Sequence, residues 1–289
     1  MRVLITGSVG MIGRKQVNVV RAAGHTVRTF DRFPQKGPDT GDHHVGDLRD
    51  MLTMRQMVQG MDAVIHVGAL PSDQHGRSDE VLSINVQGTW NILLACVEAG
   101  VPRVVFYSSI NSLGAVGGHR EPVYAPLDDT YPRHPLSPYQ LSKHLGEEAC
   151  LAFTRKYGLV TLALRPTYVS SPHHYTAWHT PERAPSDPGG RNEFWAYVDL
   201  RDVVDAALRC LTVENVTHDA FLLSADDTTS LTPSRTLKET YYPELPWHQD
   251  PDAYFADAPY RALIDCSAAK RVLGWQPQHS WRTDVPETD

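Results

Sequence analysis

Cysteine is scarce in this chain. Cys96, Cys150, Cys210 and Cys266 are all it has, and they lie far apart. None forms a CxxC pair, which argues against a zinc site and against a disulfide framework. Reduced, buried thiols in a cytoplasmic protein are expected instead. Long apolar runs are missing as well, and no stretch approaches the length of a membrane span. The opening MRVLITG is already a strand pattern, which leaves no space for a secretion signal. Clustered positive charge is also absent. The formal net charge is −7, so neither nucleic acid nor an anionic membrane is the expected partner. No repeat or low-complexity tract is visible.

What is present alternates. The runs RVLIT, HTVRTFD, DAVIHV, RVVFYSS and LVTLALR read as strands. They are too continuously apolar to be buried on one face only. Helical patterns lie between them, at roughly 11–23, 50–60, 79–100 and 137–158. Such alternation predicts an α/β fold with a doubly wound parallel sheet. The pattern breaks after Pro166. Residues 167–197 are rich in Pro, His and Gly. A helix is expected at about 200–212 and a strand at about 219–224. A short strand (RALID) and a short helix (SAAKRVLG) are expected near the end. The 289 residues suit one large domain with a lobe. The predicted division is a Rossmann-type core of 1–166 plus about 198–225. A small substrate-binding lobe takes about 167–197 plus 226–289.

The stretch VLITGSVGMIG is a strand, three glycines and a helix start. Gly7 allows a tight turn, Gly10 lets the backbone approach a pyrophosphate, and Gly13 lets the helix pack on the sheet. The helix N-terminus then offers free N–H groups to the phosphates. Met11 and Ile12 fall inside the same motif. The second strand ends at Asp31, where a carboxylate can accept bonds from both ribose hydroxyls. The same charge repels a 2′-phosphate, so NAD is favoured over NADP. Arg32 follows, placed to stack on adenine or meet a phosphate.

In HPLSPYQLSKHLGEEA, Ser137, Pro138 and Gln140 make a helix start: N-cap, first position and capping-box partner. Tyr139 then lies in the first turn and Lys143 one turn later on the same face. An ammonium and a helix N-terminus both favour a phenolate, so the Tyr139 pKa is expected below its usual value of about 10. Upstream, VVFYSSINSLG is a strand running into serines, and ligands bind at the carboxyl ends of strands in such sheets. Ser108 and Ser109 both sit at that end.

With these motifs in place, the chain resembles the extended short-chain dehydrogenase/reductase superfamily, in its NAD-dependent epimerase/dehydratase group. TGSVGMIG resembles the family's glycine motif. GDLRD resembles its acidic-Leu segment near adenine, which implies cofactor roles for Asp47 and Leu48. HVGA resembles the segment lining the cofactor, with Val67, Gly68 and Ala69. NVQGTWNILLACVEAGVPRVVFYSS resembles the Asn-Val-x-Gly-Thr helix and the strand after it, and places Asn85. YQLSK resembles the family's Tyr-x-x-x-Lys, and LRPTYV its Arg-Pro segment beside nicotinamide, with Pro166. AYVDLRDVVDAAL and CSAAKRVLGWQP are also similar to family segments.

The resemblance puts the serine of the reaction at Ser109, with Ser112 the less favoured position. It implies that Tyr139 moves the substrate proton, that Ser109 bonds the same oxygen, and that Lys143 holds the nicotinamide ribose and lowers the Tyr139 pKa. Asn111, Tyr168 and His173 are candidates to touch substrate. The implied function is an NAD-dependent oxidoreductase acting on a sugar or sugar-acid hydroxyl. A nucleotide-sugar 4-epimerase with tightly held NAD is the alternative, and a non-catalytic NAD(P)-sensing member a second. Dehydratase chemistry is disfavoured, because SINSLG lacks an acidic pair. Uronate dehydrogenases resemble the chain in compactness, but their carboxylate-binding arginine has no counterpart in SSPHHYTAW. Arg183 or Arg191 are the substitutes available. His173 and His174 are adjacent and lack a third ligand nearby, so no metal is expected. Trp178, Trp195 and Tyr197 are expected in the core rather than as a wall for a sugar ring. A homodimer is implied, through the helix of Tyr139 and the helix at about 79–100.

Overall fold

A computed structural model describes residues 1–35, 41–179 and 187–284. The chain opens with β1 (Arg2–Thr6), α1 (Met11–Ala22), β2 (Thr26–Asp31) and β3 (Asp42–Val45). Next come α2 (Met51–Met57), β4 (Ala63–His66) and α3 (Ser78–Leu82). One π-helical turn (Ser83–Gln87) joins α3 to α4 (Gly88–Ala99). β5 (Arg103–Tyr107) runs into a 3₁₀ turn (Ile110–Leu113), followed by α5 (Pro138–Tyr157) and β6 (Val160–Pro166). Then follow β7 (Tyr168–Ser170), α6 (Pro172–Trp178), α7 (Asp187–Gly190), β8 (Tyr197–Asp199), α8 (Leu200–Cys210) and β9 (His218–Leu223). The chain closes with α9 (Ser234–Tyr241), α10 (Pro251–Phe255) and α11 (Ser267–Leu273).

Seven strands form one parallel, Rossmann-like sheet in the order β3-β2-β1-β4-β5-β6-β9. Its direction of growth reverses between β1 and β4, and a crevice opens there beyond the carboxyl ends of the strands. Alternate residues of one strand feed two separate cores. Val3 and Ile5 join Val17, Val105, Leu162 and Val203 on one face. Leu4 joins Phe30, Val64, Ile92 and Val104 on the other. A fully buried leucine such as Leu4 contributes about 1.5–3 kcal/mol, which fixes the strand in the middle of the sandwich.

Two expectations change, and one strand is new. The polar DHHV forms an edge strand, where half-exposed polar residues are tolerated. The helix at 79–100 is two helices joined by the π turn. RALID forms no strand: Arg261 and Ile264 make only isolated bridges, to Asp227 and Leu127. The irregular stretch after Pro166 holds β7 and β8, which pair parallel in a small second sheet. Among the described residues, no helix is long and apolar enough to cross a membrane.

Candidate functional site

The glycine loop is shaped by what it touches. Gly7 has φ +68°, and a Cβ there would meet the Gly68 amide nitrogen at 2.6 Å. A Cβ on Gly13 would meet the Gly7 carbonyl oxygen at 2.0 Å. Both glycines are thus demanded by packing. Gly10 is different: its added Cβ would meet nothing closer than 3.4 Å. It is the N-cap of α1 and brings no side-chain cap, and the first turn has no acidic residue. The uncapped first turn therefore suits an anion. Asp31 accepts the Val9 N–H at 2.8 Å and the Phe33 N–H at 3.1 Å, so it braces the loop from the end of β2. Arg32 is exposed and lies over the Phe33 ring. Met11 is exposed at the loop edge, and Ile12 leans on the core.

The neighbouring loops complete this crevice. Asp47 is exposed and bonded by Arg49, whose guanidinium holds the carboxyl below its ordinary range. Leu48 is buried and fills the space beside Gly68 and Gly88. Val67, Gly68 and Ala69 follow β4 and are half-buried. The Gly68 N–H donates to Thr6 Oγ1 at 3.1 Å. Asn85 accepts the Leu70 N–H at 2.8 Å and donates to the Leu70 carbonyl and to Ser142 Oγ, each at 3.0 Å. It therefore clamps the loop after β4 onto α5. Pro166 ends β6, buried. A bare helix N-terminus, a backbone stripped of side chains and a carboxylate at the end of β2 fit a dinucleotide.

α5 starts where its sequence predicts. Ser137 Oγ accepts the Gln140 N–H at 3.2 Å, and Gln140 Oε1 accepts the Ser137 N–H at 3.3 Å. Pro138 takes the first position, where its missing N–H costs nothing. Tyr139 is half-buried, and Ser109 lies close enough to its phenol to favour the phenolate. Ser109 itself accepts the Asn111 N–H at 3.2 Å and the Asn111 side-chain amide at 3.4 Å. Lys143 is buried, and its Nζ donates to the Tyr107 carbonyl at 2.7 Å. That ammonium lies 5.8 Å from the centre of the Tyr139 ring. The phenol is not lowered as expected. Burial pushes it up to about 12, against the effect of Ser109, and the Asp73 carboxylate adds to the rise. Lys143 faces a backbone carbonyl rather than the phenol oxygen, so its charge does not offset burial. Burial brings Lys143 itself down to about 8, opposed by Glu147.

Glu147 escaped the sequence reading. It lies one turn beyond Lys143 on the same stripe of α5, and that spacing was the available signal. Its Oε1 accepts from Ser108 at 2.5 Å, from Ser112 at 2.8 Å and from Arg165 Nε at 3.0 Å. Its Oε2 meets Arg165 Nη2 at 2.7 Å and Arg133 Nη1 at 3.0 Å. Burial alone would raise this carboxyl, but Arg165 outweighs it and holds the group below its ordinary range. Arg165 also meets Asp129 at 3.2 Å. Ser108 and Ser112 are thereby committed to Glu147, while Ser109 is not.

The substrate-side candidates separate. Asn111 is beside Ser109. Tyr168 and His173 are exposed, on β7 and α6, and among the described residues neither contacts Ser109 or Tyr139. His174 accepts the Ser171 N–H at 3.0 Å. Trp195 and Tyr197 are core residues, and Trp178 packs between Tyr175, Tyr197 and Trp281. Arg191 is engaged by Glu121 at 2.7 Å and lies over the Tyr242 ring. Arg183 lies outside the described residues.

Uronate dehydrogenase of Pseudomonas syringae pv. tomato is 32% identical over 167 residues, covering 57% of this chain and 58% of that protein. A putative UDP-glucose 4-epimerase of Methanocaldococcus jannaschii is 33% identical over 170 residues, covering 56% of this chain and 54% of that protein. These alignments span little more than half the length of either relative. A short-chain dehydrogenase/reductase superfamily protein from Agrobacterium tumefaciens, solved with bound NAD, shares the fold. It superposes with a TM-score of 0.72 at 24% identity, over 98% of this chain and 94% of that one. A family model described as the NAD dependent epimerase/dehydratase family matches residues 3–224. With most of its length covered by that model, the chain belongs to the NAD dependent epimerase/dehydratase family, and its cofactor is NAD.

Proposed function

We propose that this protein is an NAD-dependent oxidoreductase acting on a hydroxyl-bearing carbon of a sugar or sugar acid. The observation that carries this reading is the convergence of Ser109, Tyr139 and Lys143 beside the glycine crevice, with the Lys143 ammonium 5.8 Å from the centre of the Tyr139 ring. The first-turn amides of α1, Gly10 and Asp31 would hold the dinucleotide, with Asp47, Leu48 and Val67–Ala69 along its course. When bound, NAD supplies the hydride acceptor at its nicotinamide ring. Tyr139 exchanges a proton with the substrate oxygen, and Ser109 fixes that oxygen by a second hydrogen bond. Because the phenol sits high, near 12, it is protonated at neutral pH and suited to give a proton to a carbonyl. Running as a base, it gains with rising pH. Lys143, held by the Tyr107 carbonyl, keeps a cation near the phenol and would bind the nicotinamide ribose.

The substrate lobe in this reading is 167–197 with 226–289, and Asn111, Tyr168 and His173 are its candidate contacts. Four free, buried cysteines support a cytoplasmic setting. A second copy of the chain would cover the face of α4 and α5. There Trp90, Leu141 and Leu145 are exposed and line an open groove of about 570 Å³ with Leu82 and Val86. The test is turnover: purified protein, NAD and a panel of neutral sugars and sugar acids should generate NADH absorbance. Tyr139→Phe should reduce it by at least about a hundredfold. Turnover untouched by that substitution refutes the mechanism. UDP-sugar interconversion without net NADH would instead select the 4-epimerase reading.

A further inference from the structure

We propose that Asp73 is a positioning residue for Tyr139, tying the loop that lines the cofactor crevice to the helix that carries the phenol. This rests on reading Tyr139 as the proton-transfer group. Asp73 Oδ1 accepts the Tyr139 N–H at 2.7 Å, from 66 residues away in sequence. The first N–H groups of a helix have no partner inside it. At the start of α5, Pro138 has none to offer, and Ser137 takes that of Gln140. The Tyr139 N–H is satisfied by Asp73, so a residue from another strand's loop completes the cap. A tight turn presents the carboxylate: Ser72 Oγ meets His75 Nδ1 at 2.7 Å, and the Gln74 N–H donates to Ser72 Oγ at 3.2 Å. The same loop is held to α5 a turn further on, where Asn85 joins Leu70 to Ser142. Two pins, at Tyr139 and Ser142, thus lock the cofactor-side loop to the helix.

The latch also carries charge. Three elements face Tyr139. α5 contributes the Lys143 ammonium, and the turn after β5 contributes the neutral Ser109 and Asn111. The loop after β4 contributes Asp73, with His75 in the same turn. A carboxylate there opposes loss of the phenol proton, so Asp73 adds to the rise in the pH at which Tyr139 becomes a base.

Two exposed-site variants separate latch from charge. Asp73→Asn keeps an acceptor oxygen and removes the charge, and Asp73→Ala removes both. Hydrogen exchange at the Tyr139 amide reads the latch without any need for turnover. Asp73→Ala should accelerate it about tenfold, with Asp73→Asn close to wild type. The pH profile of NAD reduction reads the charge, and Asp73→Asn should move its acid limb down by about half a unit. An unchanged amide in Asp73→Ala overturns the proposal. So does a wild-type profile in Asp73→Asn when turnover is measurable. Absence of turnover in every protein would instead strike the oxidoreductase reading, and the exchange rates would still decide the latch.

Discussion

Replacing Glu147 by Gln should weaken the protein more than any exposed substitution could. The residue accepts five contacts from Ser108, Ser112, Arg165 and Arg133, and both it and Arg165 are only 1% exposed at the side chain. A glutamine must point an NH₂ at donors on one side, and it leaves Asp129 as the one carboxylate facing the Arg165 guanidinium. Breaking one partner of a buried pair costs about 3–5 kcal/mol. For a chain of this size that is a fall in melting temperature of roughly 10 °C. Thermal unfolding followed by circular dichroism at pH 7 measures it directly. The pH dependence has a definite sign. Glu147 is held below 4.5 in the folded state, so its contribution is present above 4.5 and is lost as pH falls below it. Wild type and Glu147→Gln should therefore converge in acid. A fall of less than about 2 °C at pH 7, or a difference that persists unchanged in acid, refutes the argument.

Lys143→Met should abolish turnover yet raise the melting temperature at pH 7 by about 4 °C, since a buried cation held near 8 is a cost. That cost is full below pH 8 and vanishes as pH rises through 10.5, so the gain should fade in alkali; differential scanning calorimetry across pH checks both. Gly10→Ala should fold normally and bind NAD at least about tenfold more weakly by titration calorimetry, whereas Gly13→Ala should fail to fold. If a second copy covers the α4 and α5 face as proposed, Trp90→Glu should abolish that association by light scattering, with the helical signal retained.

Much of the site was legible because its signals are local. A strand, three glycines and a helix define a phosphate turn within one short stretch. Ser137, Pro138 and Gln140 mark a helix start from adjacent positions, and helical spacing then puts Tyr139 and Lys143 on one face. Other elements lack such a signal. DHHV has no strand periodicity, and only its place beside β2 makes it one. RALID reads as a strand, but the segments beside it pair with it only through isolated bridges at Arg261 and Ile264.

The sequence by itself determined the parallel α/β core, the dinucleotide turn and the helical stripe from Tyr139 to Lys143, all set by chemistry within a few residues. The tertiary structure alone decided which charges meet. It brought Asp73 to the Tyr139 amide and Arg165 to Glu147, and it turned Lys143 onto the Tyr107 carbonyl. It also buried the phenol enough to reverse the expected direction of its pKa. Those outcomes depend on strand order and on exclusion of water, and neither is encoded in the spacing of any single segment.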